Sequence, residues 1–314
     1  MIKIVNVNAN KLYDYEASVF ARYDTEYTFA AVQNSDELIA AAKDAEVILF
    51  TSACFTEEVF AALPKLKLLV RYGIGYDTVD LTAARAHGVD VCNAPTYGTI
   101  DVAEHAMALL LAANRKILSF DAGVREGEWG KSAAYPTHRL KDTTLGLVGL
   151  GRIARNVAQY AQGFGMKTIA YDPYIKPEDT GNTTLVSLGE LLRTSDYISL
   201  HAPLTEENRH MICRETLAQC KPNAVLVNTS RGGLIDTDAL AEALRTGVIR
   251  GAGLDVLETE PMPENSPLTK LTNVVLTPHT AWLTEESVVS LHEEVTAEVV
   301  RFLKGQPNLH IVNR

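Results

Sequence analysis

The 314-residue chain has no apolar run near the ~20 residues that a membrane-spanning helix requires, so no such span is expected. Cysteine is scarce. The four present, Cys54, Cys92, Cys213 and Cys220, form no C-x-x-C pair. That pattern favours reduced thiols in a cytoplasmic protein over a disulfide framework or a metal site. The start, Met-Ile-Lys-Ile-Val-Asn-Val-Asn, reads as a strand and lacks the long apolar core of a signal peptide. An excess of basic residues is also missing: 29 Lys and Arg stand against 39 Asp and Glu, for a net charge of −10. An acidic surface repels phosphate backbones and anionic lipid, so neither nucleic acid nor membrane is expected as the main partner. No low-complexity segment, charge block or short repeat is found.

What remains is an ordinary globular composition, 46% hydrophobic and 22% charged. The length is about twice that of a common domain and suggests two. Short β-branched runs alternate with helical patterns throughout. Ile2–Asn6, Val47–Phe50, Lys67–Arg71 and Val89–Cys92 read as strands, with helices such as Ser35–Lys43 and Leu81–His87 between them. A second series reads Leu145–Val148, Thr168–Tyr171, Tyr197–Leu200, Ala224–Asn228, Gly253–Val256 and Val274–Thr277. Its helices are Ile153–Gly163, Ser187–Arg193 and Thr237–Thr246. Such β-α-β alternation predicts parallel sheets covered by helices on both faces, hence two α/β domains. Between the series, Asp101–Leu118 reads as one apolar helix buried between domains, and Glu285–Lys304 as a last amphipathic helix.

The second series opens on Gly149-Leu-Gly151-Arg152-Ile153-Ala154, a G-x-G-x-x-A turn between strand and helix. The first glycine permits the tight turn and the second lets backbone approach a pyrophosphate. The small third residue lets helix and strand pack closely, and the helix N-terminus attracts the phosphates. The next strand ends at Asp172, 23 residues after Gly149, near the usual offset of about 20. Its carboxylate suits a ribose diol and repels a 2′-phosphate by on the order of 4 kcal/mol, which predicts NAD over NADP. A tight turn with an ordinary surface aspartate is the plain alternative.

Three further stretches put polar residues just past strands of this series: Arg231 in Asn-Thr-Ser-Arg-Gly-Gly, the carboxylates Asp255, Glu258 and Glu260 in Asp-Val-Leu-Glu-Thr-Glu-Pro, and His279 in Thr-Pro-His-Thr-Ala-Trp282. Each has a bland reading, as a surface ion-pair residue, a turn cap or a packed ring. Together they suit hydride transfer to a 2-keto acid. A guanidinium anchors the substrate carboxylate and meets charge on the carbonyl oxygen; a histidine moves a proton near neutral pH; a carboxylate steadies the imidazolium.

The chain resembles the D-isomer-specific 2-hydroxyacid dehydrogenases over nearly its whole length. The matching stretches are Arg71-Tyr-Gly-Ile74-Gly75-Tyr-Asp-Thr-Val-Asp80, Asn93-Ala-Pro, Val102-Ala-Glu-His and the glycine turn. Leu200-His-Ala-Pro-Leu-Thr, Val227-Asn-Thr-Ser-Arg-Gly, Leu254-Asp-Val-Leu-Glu-Thr-Glu-Pro and Thr277-Pro-His complete the set. The resemblance implies a Rossmann cofactor domain, residues 99–283, inserted in a flavodoxin-like substrate domain of residues 1–98 and 284–314. It implies Arg231, Glu260 and His279 as the catalytic set, and an NAD site at Gly149, Gly151, Arg152, Ile153, Asp172, Ala202, Pro203, Asn208, Thr229, Arg231 and Asp255. Substrate contacts are implied at Ile74, Gly75, Arg231, His279 and Trp282, together with a homodimer and a cleft that closes on the ligand. Glu260 departs from the glutamine of the formate branch. The run Thr277-Pro-His-Thr-Ala-Trp282, with Arg71-Tyr-Gly-Ile-Gly-Tyr, makes the chain look closest to the C-terminal-binding-protein-like branch, and Trp282 stands either as a pocket wall or as plain packing. Two alternatives stay open: an NAD(H)-sensing, co-repressor-like assembly protein, and a phosphoglycerate dehydrogenase, although no regulatory domain follows before Arg314.

Overall fold

The structure is a computed structural model and describes residues 1–8, 15–130 and 137–314. It divides into two compact units, Met1–Gly98 with Leu283–Arg314, and Thr99–Trp282.

In the first unit the strands are β1 (Ile2–Asn6), β2 (Thr25–Phe29), β3 (Val47–Phe50), β4 (Leu68–Arg71) and β5 (Asp90–Cys92). Between them run α1 (Tyr15–Phe20), α2 (Ser35–Ala42), α3 (Glu57–Ala62) and α4 (Leu81–Ala86). The order is β2-β1-β3-β4-β5, every pair parallel. All four residues of β3, Val-Ile-Leu-Phe, are buried. A strand covered by helices on both faces has no use for a polar face.

The second unit begins with α5 (Thr99–Arg115) and α6 (Ile117–Arg125). It continues through β6 (Thr144–Val148), α7 (Arg152–Gly163), β7 (Lys167–Tyr171), β8 (Thr184–Leu185), α8 (Leu188–Thr194), β9 (Tyr197–Leu200) and α9 (Arg214–Leu217). It closes with β10 (Val225–Asn228), α10 (Thr237–Thr246), β11 (Gly251–Leu254) and β12 (Val274–Leu276). The parallel order is β12-β11-β10-β9-β6-β7-β8, the doubly wound nucleotide-binding arrangement with one strand added. Side chains alternate between two cores. Val225 and Val227 join α5 and α7 on one face, while Leu226 joins α8 and α10 on the other. On α7 the buried stripe Ala154, Val157, Ala158 and Ala161 follows helical spacing.

The last helix, α11 (Glu285–Leu303), belongs to the first unit and secures the tail there. Buried Glu298 accepts from Asn308 Nδ2 at 2.7 Å, and Asn313 bonds the backbone of Val89 and Val91 at 2.8 and 3.0 Å.

Two parallel α/β sheets are therefore present, and some elements differ from the sequence reading. The edge strands β2 and β8 are additional. β11 lies two residues earlier than expected, because Gly251 and Gly253 interrupt its apolar run. The expected helix over 101–118 breaks at Lys116, whose φ of 54° is left-handed. Only α5 is buried, and it packs inside the second unit; α6 has no buried residue. Among the described residues no helix is long and apolar enough to cross a membrane.

Candidate active site

Polar residues collect along the carboxyl edge of the second sheet, where strand order reverses between β6 and β9. Leaving β6, Gly149 takes a φ of 88°, and a Cβ there would stand 2.9 Å from the carbonyl carbon of His201 after β9. Only glycine lets these two strand ends meet so closely. Gly151 caps α7 and faces open space, so backbone amides are accessible to an anion at that helix N-terminus. Arg152 and Ile153 open the helix. Asp172, past β7, accepts Leu150 N–H at 2.8 Å and Tyr174 N–H at 2.9 Å, which holds its carboxylate beside the turn.

After β9, Asn208 folds its loop by accepting Thr205 N–H and donating to the Pro203 carbonyl, both at 2.7 Å; Ala202 precedes Pro203. His201 Nε2 lies 2.8 Å from Ser199 Oγ, and burial pushes its pKa down to about 4. That ring is neutral and is no candidate for the acid.

After β10, fully buried Asn228 shapes the next turn. Its Oδ1 accepts from Ser230 N–H and Oγ, and its Nδ2 donates to the Arg231 carbonyl at 2.8 Å. Thr229 Oγ1 is buried without a hydrogen-bond partner among the described residues. A buried hydroxyl left unpaired costs about 1–3 kcal/mol, and at this sheet edge a bound ligand can supply the partner. The open amides at Gly151, the diol-ready Asp172 and the orphaned Thr229 fit a dinucleotide.

Asp255, past β11, is 2% exposed. It accepts from Thr277 Oγ1 at 2.6 Å and from the amides of Thr280 and Ala281 at 2.9 Å, while its carbonyl accepts His279 N–H at 2.8 Å. These bonds shape the turn after β12 and hold His279 at a φ of 58°. His105 on α5 adds a further strut, its Nε2 lying 3.0 Å from Thr277 Oγ1. Trp282 Nε1–H donates to the His279 carbonyl at 3.1 Å, which ties the indole to the turn that carries the imidazole.

His279 Nδ1 meets Glu260 Oε2 at 2.7 Å, and Glu260 Oε1 accepts Leu257 N–H at 2.8 Å. Burial works to raise the pKa of Glu260. The His279 and Leu257 hydrogen bonds and the charges of His279 and Arg231 outweigh it and hold the carboxyl below its usual range. At neutral pH this is a carboxylate beside a histidine, within the field of a guanidinium.

The sheet edge thus gathers Gly149, Gly151, Arg152, Ile153, Asp172, Ala202, Pro203, Asn208, Thr229, Arg231, Asp255, Glu260, His279 and Trp282. Ile74 and Gly75 belong to the first unit, where they follow β4 and Asn93 Nδ2 holds the Ile74 carbonyl at 2.7 Å. Asn228, Thr277 and His105 carry roles that motif reading passed over, since each works through bonds to distant backbone or side chains.

Fold and glycine turn together define a dinucleotide-binding α/β protein. The family profile described as D-isomer specific 2-hydroxyacid dehydrogenase, NAD binding domain, matches residues 107–281. D-3-phosphoglycerate dehydrogenase of Mycobacterium bovis is 45% identical over 274 residues, covering 86% of this chain and 52% of the relative. Glyoxylate reductase of Korarchaeum cryptofilum is 45% identical over 278 residues, covering 86% of this chain and 83% of the relative. A solved structure of D-lactate dehydrogenase from Aquifex aeolicus, complexed with NAD and lactic acid, superposes with a TM-score of 0.87. It is 32% identical and covers 96% of each chain. The chain belongs to the D-isomer-specific 2-hydroxyacid dehydrogenase family, and its second unit carries the family's NAD-binding domain. It spans about half the length of the phosphoglycerate dehydrogenases it matches.

Proposed function

We propose that the chain is an NAD-dependent oxidoreductase that interconverts a small 2-keto acid and the D-2-hydroxy acid. The observation that carries this reading is the 2.7 Å His279–Glu260 pair, lying on the same sheet edge as Arg231 and the glycine turn. Arg231 binds the substrate carboxylate and draws charge from the carbonyl. With Nδ1 committed to Glu260, His279 delivers a proton from Nε2 to the carbonyl oxygen and takes it back in the reverse direction. Glu260 fixes the ring and stabilises the imidazolium. Bound nicotinamide supplies or accepts the hydride. Asp255 meets its carboxamide, Thr229 and Arg231 lie along the cofactor, the Ala202–Pro203–Asn208 loop flanks the adenosine side, Asp172 takes the ribose diol, and Gly149–Ile153 receive the pyrophosphate. Trp282 walls the pocket and favours an apolar substrate side chain, and Ile74 and Gly75 supply backbone to the substrate carboxylate. The first unit with α11 acts as the substrate domain.

A second reading rests on Arg71. Its guanidinium covers Gly73, where any Cβ would overlap it, just before Ile74 and Gly75. A cation in that place suits a phosphate and supports 3-phosphoglycerate as the substrate. The four unpaired cysteines suit a cytoplasmic setting, and the exposed apolar face of α6 suits a homodimer.

The test follows NADH absorbance with glyoxylate, pyruvate, hydroxypyruvate, phenylpyruvate, branched 2-keto acids and phosphohydroxypyruvate. Turnover of the unphosphorylated acids supports the main reading, and preference for the phosphorylated one supports the second. An NADH-dependent change of oligomeric state with no turnover points instead to a sensing assembly protein.

A further inference from the structure

Two carboxylates leave the short loop after β11, and each is held by a different histidine. Glu260 pairs with His279; Glu258 pairs with His210, Nε2 to Oε1 at 2.5 Å. Both histidines have left-handed backbones, at φ 58° and 53°. A residue bearing a Cβ stays in that region only where its surroundings hold it.

An exposed ion pair by itself contributes little, about 0–1 kcal/mol. The His210–Glu258 pair differs through its connections. Glu258 Oε2 also accepts Thr237 N–H at 3.3 Å, so both its oxygens are engaged. His210 N–H donates to the Gly233 carbonyl at 2.9 Å, and Ile212 N–H to the Leu234 carbonyl at 3.0 Å. The residue after His210, Met211, donates its N–H to the Asn208 carbonyl at 3.0 Å. His210 is therefore a junction of three segments: the Asn208 loop, the turn that follows Arg231, and the loop of Glu258 and Glu260.

Two of those segments are in peptide contact. A Cβ on Gly232 would overlap the Leu257 carbonyl, so the backbone next to Arg231 rests directly on the Leu257–Glu258 peptide. That stretch also provides the Leu257 N–H that orients Glu260. A shift of Glu258 therefore reaches both Glu260 and Arg231.

We propose that His210 is a positioning residue: through Glu258 it fixes the segment that holds Glu260 against His279, and through its backbone it ties that segment to the turn bearing Arg231. The inference rests on the reading of Glu260 and His279 as the acid–base pair. The charged groups that meet here are few. Glu258 faces His210, Glu260 faces His279 and Arg231, and the Arg209 guanidinium covers Gly233. Burial works to raise the Glu258 pKa, but the bonds from His210 and Thr237 outweigh it and keep the carboxyl below its usual range. Near neutral pH the pair thus has its anion in place.

The experiment compares wild type, His210→Ala and His210→Gln, and repeats His210→Ala in a Glu260→Gln background. A glutamine amide can still donate to Glu258. His210→Ala should lower kcat on the order of 10- to 100-fold, with NADH affinity held within about threefold, as expected of a misplaced catalytic group. His210→Gln should recover most of the loss, and His210→Ala should cost several-fold less once Glu260 is glutamine, the remainder being the part that reaches Arg231. In the substrate-free protein, the Glu260 carboxyl titration followed by NMR should move up toward its ordinary value. An equal kcat loss in both backgrounds, an unmoved Glu260 titration, or weakened NADH binding with kcat intact overturns the proposal. Should the wild type turn over no 2-keto acid, the functional reading fails, while the Glu260 titration still decides whether His210 positions it.

Discussion

Glu260 places one carboxylate oxygen 2.7 Å from His279 Nδ1 and the other 2.8 Å from Leu257 N–H. The carboxylate is thereby bound to the ring it serves and to its own loop. Because its pKa lies below the ordinary value, the pair adds stability in full above the unfolded carboxylate pKa. That stability is lost as pH falls through the lowered value. Thermal melts of wild type and Glu260→Gln should differ at neutral pH and converge in acid. In turnover, Glu260→Gln should suffer most at the alkaline end, where the imidazolium most needs its counter-charge; an unchanged pH–rate profile removes Glu260 from the mechanism.

Replacing His279 with alanine should lower turnover by about 100- to 10,000-fold, the span usual for a general acid–base group. Binding of NADH, followed by fluorescence, should persist, since the glycine turn, Asp172 and Thr229 stand on other strands. Retained turnover would assign the proton to another group.

The carboxylate of Asp172 should set the cofactor preference. Repulsion on the order of 4 kcal/mol against a 2′-phosphate corresponds to roughly a thousandfold in kcat/KM. Asp172→Ser should narrow the NADH-to-NADPH ratio by at least about tenfold, most of it through the KM for NADPH. A ratio that stays put would mean that the ribose is recognised elsewhere.

Ile117, Leu118, Phe120 and Val124 stand exposed on α6. If a second copy covers this face, Ile117→Asp together with Val124→Glu should convert dimer to monomer in analytical ultracentrifugation. A dimer unaffected by the double change would place the interface on another surface.

The fold was readable where a buried strand also carries an unbroken run of large apolar side chains. Val47–Phe50 and Val225–Asn228 are covered on both faces, so their strands appear as continuous apolar runs. Thr25–Phe29 lies at a sheet edge with no fully buried residue, and its Thr-Glu-Tyr-Thr-Phe pattern gave no such signal. The break at Lys116 has neither glycine nor proline to announce it. In the site, Arg231, His279 and a group of carboxylates were visible because each follows a strand end. The choice between Glu258 and Glu260 came from resemblance, since two acids one residue apart look alike in a chain. Their separate histidine partners, 48 and 19 residues away, appear only in three dimensions. Asp255 was expected at the cofactor, and its bonds to Thr277, Thr280 and Ala281 add a scaffolding duty that spacing does not reveal.

The left-handed backbone at residue 279 sets a conformational preference against a side chain. Glycine or asparagine enters that conformation at lower cost than an imidazole-bearing residue. The bond to Glu260 and, on the proposed reading, the proton that His279 moves are what keep an imidazole where backbone preference alone would favour those residues.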